Sequence, residues 1–248
     1  MKKLLLACLT VIFLATPAFA YRPFLTEDAE IVGNKVFQSE TSWDYIKWNS
    51  KDSDNIFAEI AYFGITKNIH VAAGIPYVSH KIFNADRTNG YGDAIFVAKY
   101  VASRDKNDVA IVAYKLNVKW NNGDYDKILG YGDKEYQTSI CLTQPVFENL
   151  TLHGQLGYTF VSEAKNLNYG NFIVYGVAAD FTLNKTIHLA AEITGNQNPD
   201  RTLGDQRLWM VGGYYIINDH MNFDVTIRDG MTDTSPNYQL GTGLVIHY

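Results

Sequence analysis

Apolar and polar side chains alternate with a period of two along almost the whole chain after residue 34, and a 3.6-residue helical rhythm is hard to find there. In 221–228, Met221, Phe223, Val225 and Ile227 alternate with Asn222, Asp224, Thr226 and Arg228. Over 108–120, Ala110, Val112, Tyr114, Leu116, Val118 and Trp120 share one side, while Lys115, Asn117 and Lys119 lie on the other. Two kinds of break separate these runs, and they alternate strictly. One is tight and Asn-centred, as in "ITKNI" at 65–69 or "LNKTI" at 183–187, where Asn tolerates the left-handed angles that short hairpins need. The other is longer and wetter, as in "NNGDYDKILGYG" at 121–132.

The pattern predicts an all-β chain of twelve antiparallel strands: 34–48, 54–66, 69–80, 91–102, 108–120, 133–146, 150–163, 171–183, 186–196, 206–217, 220–229 and 237–248. Strands of this length, roughly eleven to fourteen residues, exceed the five or six usual in globular sheets. They suit a tilted crossing of the hydrocarbon, which needs about nine to eleven residues. A soluble β-sandwich alternates too, but its outer faces are polar.

Charge placement points the same way. The register sends Glu40, Asp44, Glu59, Asp93, Lys99, Lys115, Lys119, Asp180, Glu192, Arg207, Asp224 and Arg228 to one side, leaving the other side oily. A Lys or Arg on the lipid face at mid-bilayer costs about 2–4 kcal/mol. Trp43, Tyr45, Tyr62, Tyr77, Tyr100, Trp120, Tyr158, Tyr214 and Tyr248 are expected near strand ends on the apolar face, at headgroup level. An open sheet edge in lipid leaves unpaired backbone groups, so the sheet must close into a transmembrane β-barrel. Even parity puts both termini on the side of the short turns, the periplasm, with the longer loops outside.

Residues 1–20, "MKKLLLACLTVIFLATPAFA", read as a cleaved signal peptide: two lysines, an apolar run and a small-x-small site before Tyr21. Residues 21–33 are either a lead-in or a partial plug, and 34–248 form the barrel. Without the leader Cys141 is the only cysteine, which gives no intrachain disulfide. A formal net charge of -5, spread along the chain, argues against nucleic acid as a partner. The partners expected are the outer-membrane bilayer, the barrel-assembly machinery, periplasmic chaperones and a small-molecule solute. The ending "GTGLVIHY" resembles the C-terminal insertion signal of outer-membrane barrels, carried by Gly243, Ile246 and Tyr248, although Gly241 departs at a usually polar position.

Three stretches resemble the outer-membrane barrel family catalogued under the meta-pathway of phenol degradation. They are "RPFLTEDAEIVGNKVFQSE" at 22–40, "GYGDAIFVAKY" at 90–100 and "FGITKNIHVAAGIPY" at 63–77. The resemblance implies a barrel for uptake of small, often aromatic molecules rather than catalysis, and it carries no ligand residues that map here.

Catalytic motifs of the GxSxG, HExxH and CxxC kinds, a phosphate-binding Gly loop and a Ca²⁺ loop of correct spacing are not found. No enzyme, metal or cofactor is expected. The lumen charges are the candidate solute route, with basic Lys99, Lys115 and Lys119 facing acidic Glu40, Asp44 and Glu59. Phe57, Phe63, Val97, Ile111, Phe172, Val174 and Trp209 are expected to add apolar surface there. Two alternatives stand beside a channel. One is a closed structural barrel whose charges pair across a narrow interior. The other is a lipid-modifying enzyme using Ser139, His153 and a carboxylate.

Overall fold

The computed structural model describes residues 22–82, 86–104, 110–162, 165 and 168–248. The leader expected at 1–20 lies outside them, as do Tyr21 and parts of the breaks at 81–90, 103–108 and 163–170. Twelve long strands form one closed antiparallel ring: β1 (Phe37–Lys47), β2 (Ser53–Thr66), β3 (Ile69–Lys81), β5 (Ala94–Arg104), β6 (Ile111–Trp120), β7 (Lys134–Phe147), β8 (Leu150–Ser162), β9 (Phe172–Thr182), β10 (Ile187–Asn196), β11 (Gln206–Asn218), β12 (Met221–Gly230) and β13 (Tyr238–His247). A short extra strand, β4 (Thr88–Tyr91), extends β3 in the loop before β5. It was not anticipated, because "KIFNADRTNG" has a loop's composition. Only four residues of it pair, at the rim. Among the described residues no helix is long and apolar enough to cross a membrane.

The ring closes where β13 pairs with β1, from Gln38↔His247 to Lys47↔Tyr238. Beyond the ladder, the Tyr248 N–H donates to Phe37 O at 2.9 Å, and the two rings lie 5.3 Å apart. The β13–β1 ladder therefore leaves no open edge in lipid. Ile246 and Tyr248 face outward, whereas Gly243 faces the lumen.

Exposed and covered residues alternate along the strands. Outward positions such as Leu116, Ile140, Leu156, Val177, Leu189, Val211 and Val225 form the apolar belt. Inward positions mix polar with apolar side chains and many are buried, which is unusual for a ring this wide; eight strands fill their own interior, and sixteen to eighteen leave a channel. Here something else fills the lumen.

Two strands face the other way from the reading above. In β2, Glu59 pairs with Thr41 on the outer face, carrying Phe57 and Phe63 outward and turning Tyr62 inward. In β11, Arg207 and Trp209 point outward and Tyr214 inward. A shift of one residue flips every side chain of a strand, and in both strands a single charge is outweighed by its aromatic companions. Arg207 stands next to the extracellular end of β11, where a lipid-side charge costs only about 0–1 kcal/mol. Glu59 lies deeper, and accepts a hydrogen bond from Thr41 Oγ1. The inward tyrosines find partners: Tyr62 Oη donates to Glu40 and Tyr214 Oη to Asp180. Val97, Ile111, Phe172 and Val174 face the lumen as expected.

Candidate functional site: an occupied lumen

Residues 22–36 cross the inside of the barrel, on the half nearer the short turns. Their backbone is held by wall side chains. Leu25 N donates to both carboxylate oxygens of Glu192 at 2.9 and 3.0 Å, and Thr26 N to one of them at 2.8 Å. Glu27 N donates to Gln155 Oε1 at 2.9 Å, Ala29 N to Thr143 Oγ1 at 2.8 Å and Val32 N to His70 Nδ1 at 3.1 Å. The segment has few backbone partners of its own, and these acceptors satisfy buried N–H groups that would otherwise cost about 1–3 kcal/mol each.

Charge fixes its middle. Lys99, 1 % exposed, pairs with Glu27 and with Asp28, and also donates to the carbonyls of Asp28 and Glu30 at 3.1 and 3.0 Å. Lys115 pairs with the other oxygen of Glu27, and Arg104 with Glu30 at 2.9 Å. At the far end Arg22 reaches Asp224 at 3.3 Å, while Arg228 holds both Pro23 O (3.1 Å) and Asp44 (3.0 Å). Ala29 and Ile31 complete an apolar cluster with Val101, Ile111, Ala113 and Cys141. Covering Ile31 and Val32 is worth about 1.5–3 kcal/mol each.

The wall is shaped for this passage. A Cβ on Gly64 would collide with the backbone of Val32 and Gly33, and one on Gly176 would lie 3.2 Å from Thr26 Cβ. Gly64→Ala is expected to leave the ring intact but lift the segment at its root. Limited proteolysis of the detergent-solubilised barrel should then cleave between 22 and 36 at least about tenfold faster. Unchanged cleavage would show that the close approach at Gly64 holds nothing in place.

The twelve residues singled out by charge now separate by what they touch. Lys99, Lys115, Glu192, Asp224 and Arg228 hold the segment. Asp44 supports Arg228, and Glu40 accepts from Gln38 Nε2 at 2.8 Å and from Tyr62. Asp180 accepts from Tyr214 Oη at 2.7 Å and lies 3.0 Å from His188 Nδ1, against the stacked His188 and Tyr214 rings. Lys119 pairs with Asp133 (2.9 Å) and Glu135 (2.7 Å) under the Tyr131 ring. Asp93 accepts Gly123 N and Tyr131 N, tying the 121–133 loop to the barrel mouth. Glu59 and Arg207 are on the lipid side, which corrects their assignment to the lumen. The carboxylates opposite Lys99 and Lys115 are thus not Glu40, Asp44 and Glu59 but those of the segment itself, while Lys119 pairs with Asp133 and Glu135 on the wall. Ser139 Oγ and His153 Nδ1 have separate partners, Gln137 and Gln155 for the first and Thr143 for the second.

Sequence reasoning missed Glu27, Asp28, Gln155, Thr143 and His70 as parts of the latch. A signal for the first two was present: three carboxylates within 27–30, ahead of a barrel with three inward lysines.

Burial alone would raise the Glu27 carboxyl, but Lys115 and Lys99 beside it hold it well below the usual carboxylate range. Burial raises Glu30, against the opposing pull of Arg104. Because Glu27 is lowered on docking, its ionised contribution is complete above its free value and is lost only as pH falls through the docked value. Glu30 has the opposite sign: its docked form keeps a proton more readily, so its contribution declines as pH rises through its raised value. Glu27 makes two ion pairs and dominates. Conductance is expected to stay flat between about pH 5 and 8; opening within that window would contradict Glu27 as the main clasp.

A closed twelve-stranded ring with an apolar belt, short periplasmic turns and a leading segment in its lumen defines an outer-membrane β-barrel of transporter-like form, and its place is the outer membrane. The family model described as "Putative MetA-pathway of phenol degradation" matches residues 20–248, and the chain belongs to that family. Among solved structures the fold is similar to an outer membrane channel from Pseudomonas putida F1, with a TM-score of 0.70 at 12% identity, covering 89% of this chain and 98% of that one. It is also similar to the NanC porin (TM-score 0.59, 9% identity, 85% and 98% covered) and to the KdgM porin in complex with disordered oligogalacturonate (0.58, 10%, 84% and 98%). No curated protein matches significantly in sequence.

Proposed function

We propose that the protein is an outer-membrane channel for small, partly hydrophobic solutes, and that residues 22–36 are a releasable plug rather than a lead-in. The observation that carries this reading is how the segment is held. The ring's backbone bonds run strand to strand around the whole circle. Over 22–32 the segment is bound through wall side chains, so that stretch can leave without opening the sheet. Beyond the plug the lumen mixes Val97, Val174 and Leu208 with amides and paired charges, a wall that suits solutes neither fully oily nor ionic. Membership in a family of this description, and likeness to a channel and to porins, support passage. The signal peptide at 1–20 and assembly by the outer-membrane machinery accompany this reading.

A closed structural barrel is favoured by one observation, that most of the lumen charges are paired. Proteoliposome swelling separates the two. Small neutral solutes are expected to enter slowly through the wild type and faster through variants with a weakened latch. No entry through either would reject transport.

A further inference from the structure

A cavity of about 220 Å³ opens against Leu25 on the extracellular side of the segment, between strands β7 to β11. Gln137, Val174, Asn196, Gln206 and Leu208 all stand near the long-loop ends of their strands, so a solute entering from outside meets this cavity before the plug. Arg207 and Tyr175 border it only from behind, since alternation turns both side chains outward. Among the described residues no ionisable side chain faces the space.

Its amides are anchored through nitrogen. Gln137 Nε2 donates to Ser139 Oγ at 2.9 Å, Asn196 Nδ2 to Gln197 O at 2.9 Å and Gln206 Nε2 to Thr234 O at 3.0 Å. Gln155 is engaged at both ends, by Glu27 N and by Ser139. Gln137, Asn196 and Gln206 each keep the carbonyl oxygen and a second N–H, and with the hydroxyl of Thr194 they are the neutral polar groups a solute meets beside the apolar surface of Leu25, Val174 and Leu208. A carboxylate would give up its hydration to neutral amides with no cation to pair with, and an ammonium would lack a counter-charge. A neutral molecule with an apolar body and a hydroxyl donor satisfies both surfaces. The space is below the roughly 300–1,000 Å³ of drug-sized pockets, which limits the occupant to about one ring or a short chain.

From this we infer that the cavity is a selectivity site for small uncharged hydroxyl-bearing solutes, an inference that rests on the channel reading and names its substrate class. The direct test is equilibrium dialysis of benzyl alcohol, toluene and benzoate against the full folded protein in detergent, with empty micelles subtracted. Benzyl alcohol is expected to bind saturably, toluene at least about tenfold more weakly for want of a donor, and benzoate not measurably. In Gln137→Met/Gln206→Met, with folding checked by heat-modifiable gel mobility, the preference for alcohol over toluene is expected to disappear while toluene binding persists. A variant that fails to fold is replaced by Asn196→Leu alone, read the same way. The site is overturned if benzoate matches the alcohol, if the preference survives the substitutions, or if no saturable binding occurs. Swelling measured in parallel keeps the two ideas apart. Uptake without binding here leaves the channel and removes the site; binding without uptake does the reverse.

Discussion

Deleting residues 22–32 is expected to convert a nearly silent barrel into an open one. In planar bilayers the variant should conduct steadily, at roughly an order of magnitude above the wild-type mean current, because twelve strands enclose more space than their own side chains fill. The ring should survive, since each strand keeps both neighbours and the β13–β1 seam lies outside the deletion. Heat-modifiable mobility of the folded variant checks that survival. Residues 22–32 carry Arg22 against Glu27, Asp28 and Glu30, so their loss leaves the lumen more positive than before and is expected to shift its preference towards anions. Reversal potentials in a salt gradient read that preference. A deletion that folds and remains silent would mean the loops, not the segment, close the path.

The second large effect is expected from Glu27→Gln. The substitution is nearly isosteric and keeps the backbone N–H bond to Gln155, yet it removes the charge shared by Lys99 and Lys115. Breaking a buried pair from one side typically costs about 3–5 kcal/mol. Asp28 and two carbonyls remain on Lys99, so the lower end of that range is the better guide. Even about 3 kcal/mol shifts the docked-to-released ratio by roughly a hundredfold, at 1.4 kcal/mol per factor of ten. Open probability in single-channel records should rise accordingly, with unit conductance matching the deletion's. A Lys115→Met partner for Glu27→Gln should restore part of the closure, because it removes the cation left without a carboxylate and refills its space with apolar atoms, while Lys99 keeps Asp28. If Glu27→Gln leaves open probability unchanged, the ion pairs accompany docking without holding it.

Much of the fold was legible because hydrocarbon imposes a strict code. The alternation in 108–120 or 221–228 has one reading when one face meets lipid, and the strand limits drawn from it fall within a few residues of β6 and β12. The failures have a common cause. At Glu59 and Arg207 one charge was allowed to set a strand's register against two aromatics; Phe57 with Phe63, and Trp209 with Tyr215, decide otherwise. Tyr62 and Tyr214 looked like interfacial rings because a tyrosine's sequence does not reveal a carboxylate waiting across the lumen. The candidate site was legible by half. Inward charges could be located strand by strand, but their partners lie 70 to 200 positions away, in a segment with no periodicity to mark its path. Leu25 to Val32 follow wall side chains rather than a ladder, and only their acidic composition hinted at the lysines they meet.

The most direct measurement is of a tether between the segment and the wall. With Cys141 changed to Ser, Thr26→Cys/Gly176→Cys places two cysteines whose Cβ atoms come within 3.2 Å, close to disulfide range. The bond is expected to form on mild oxidation of the membrane-embedded protein, abolishing the residual openings, and its reduction should bring them back. A pair that does not cross-link in the folded barrel, or an oxidised barrel that conducts as well as the reduced one, would contradict a lumen closed by its own leading segment.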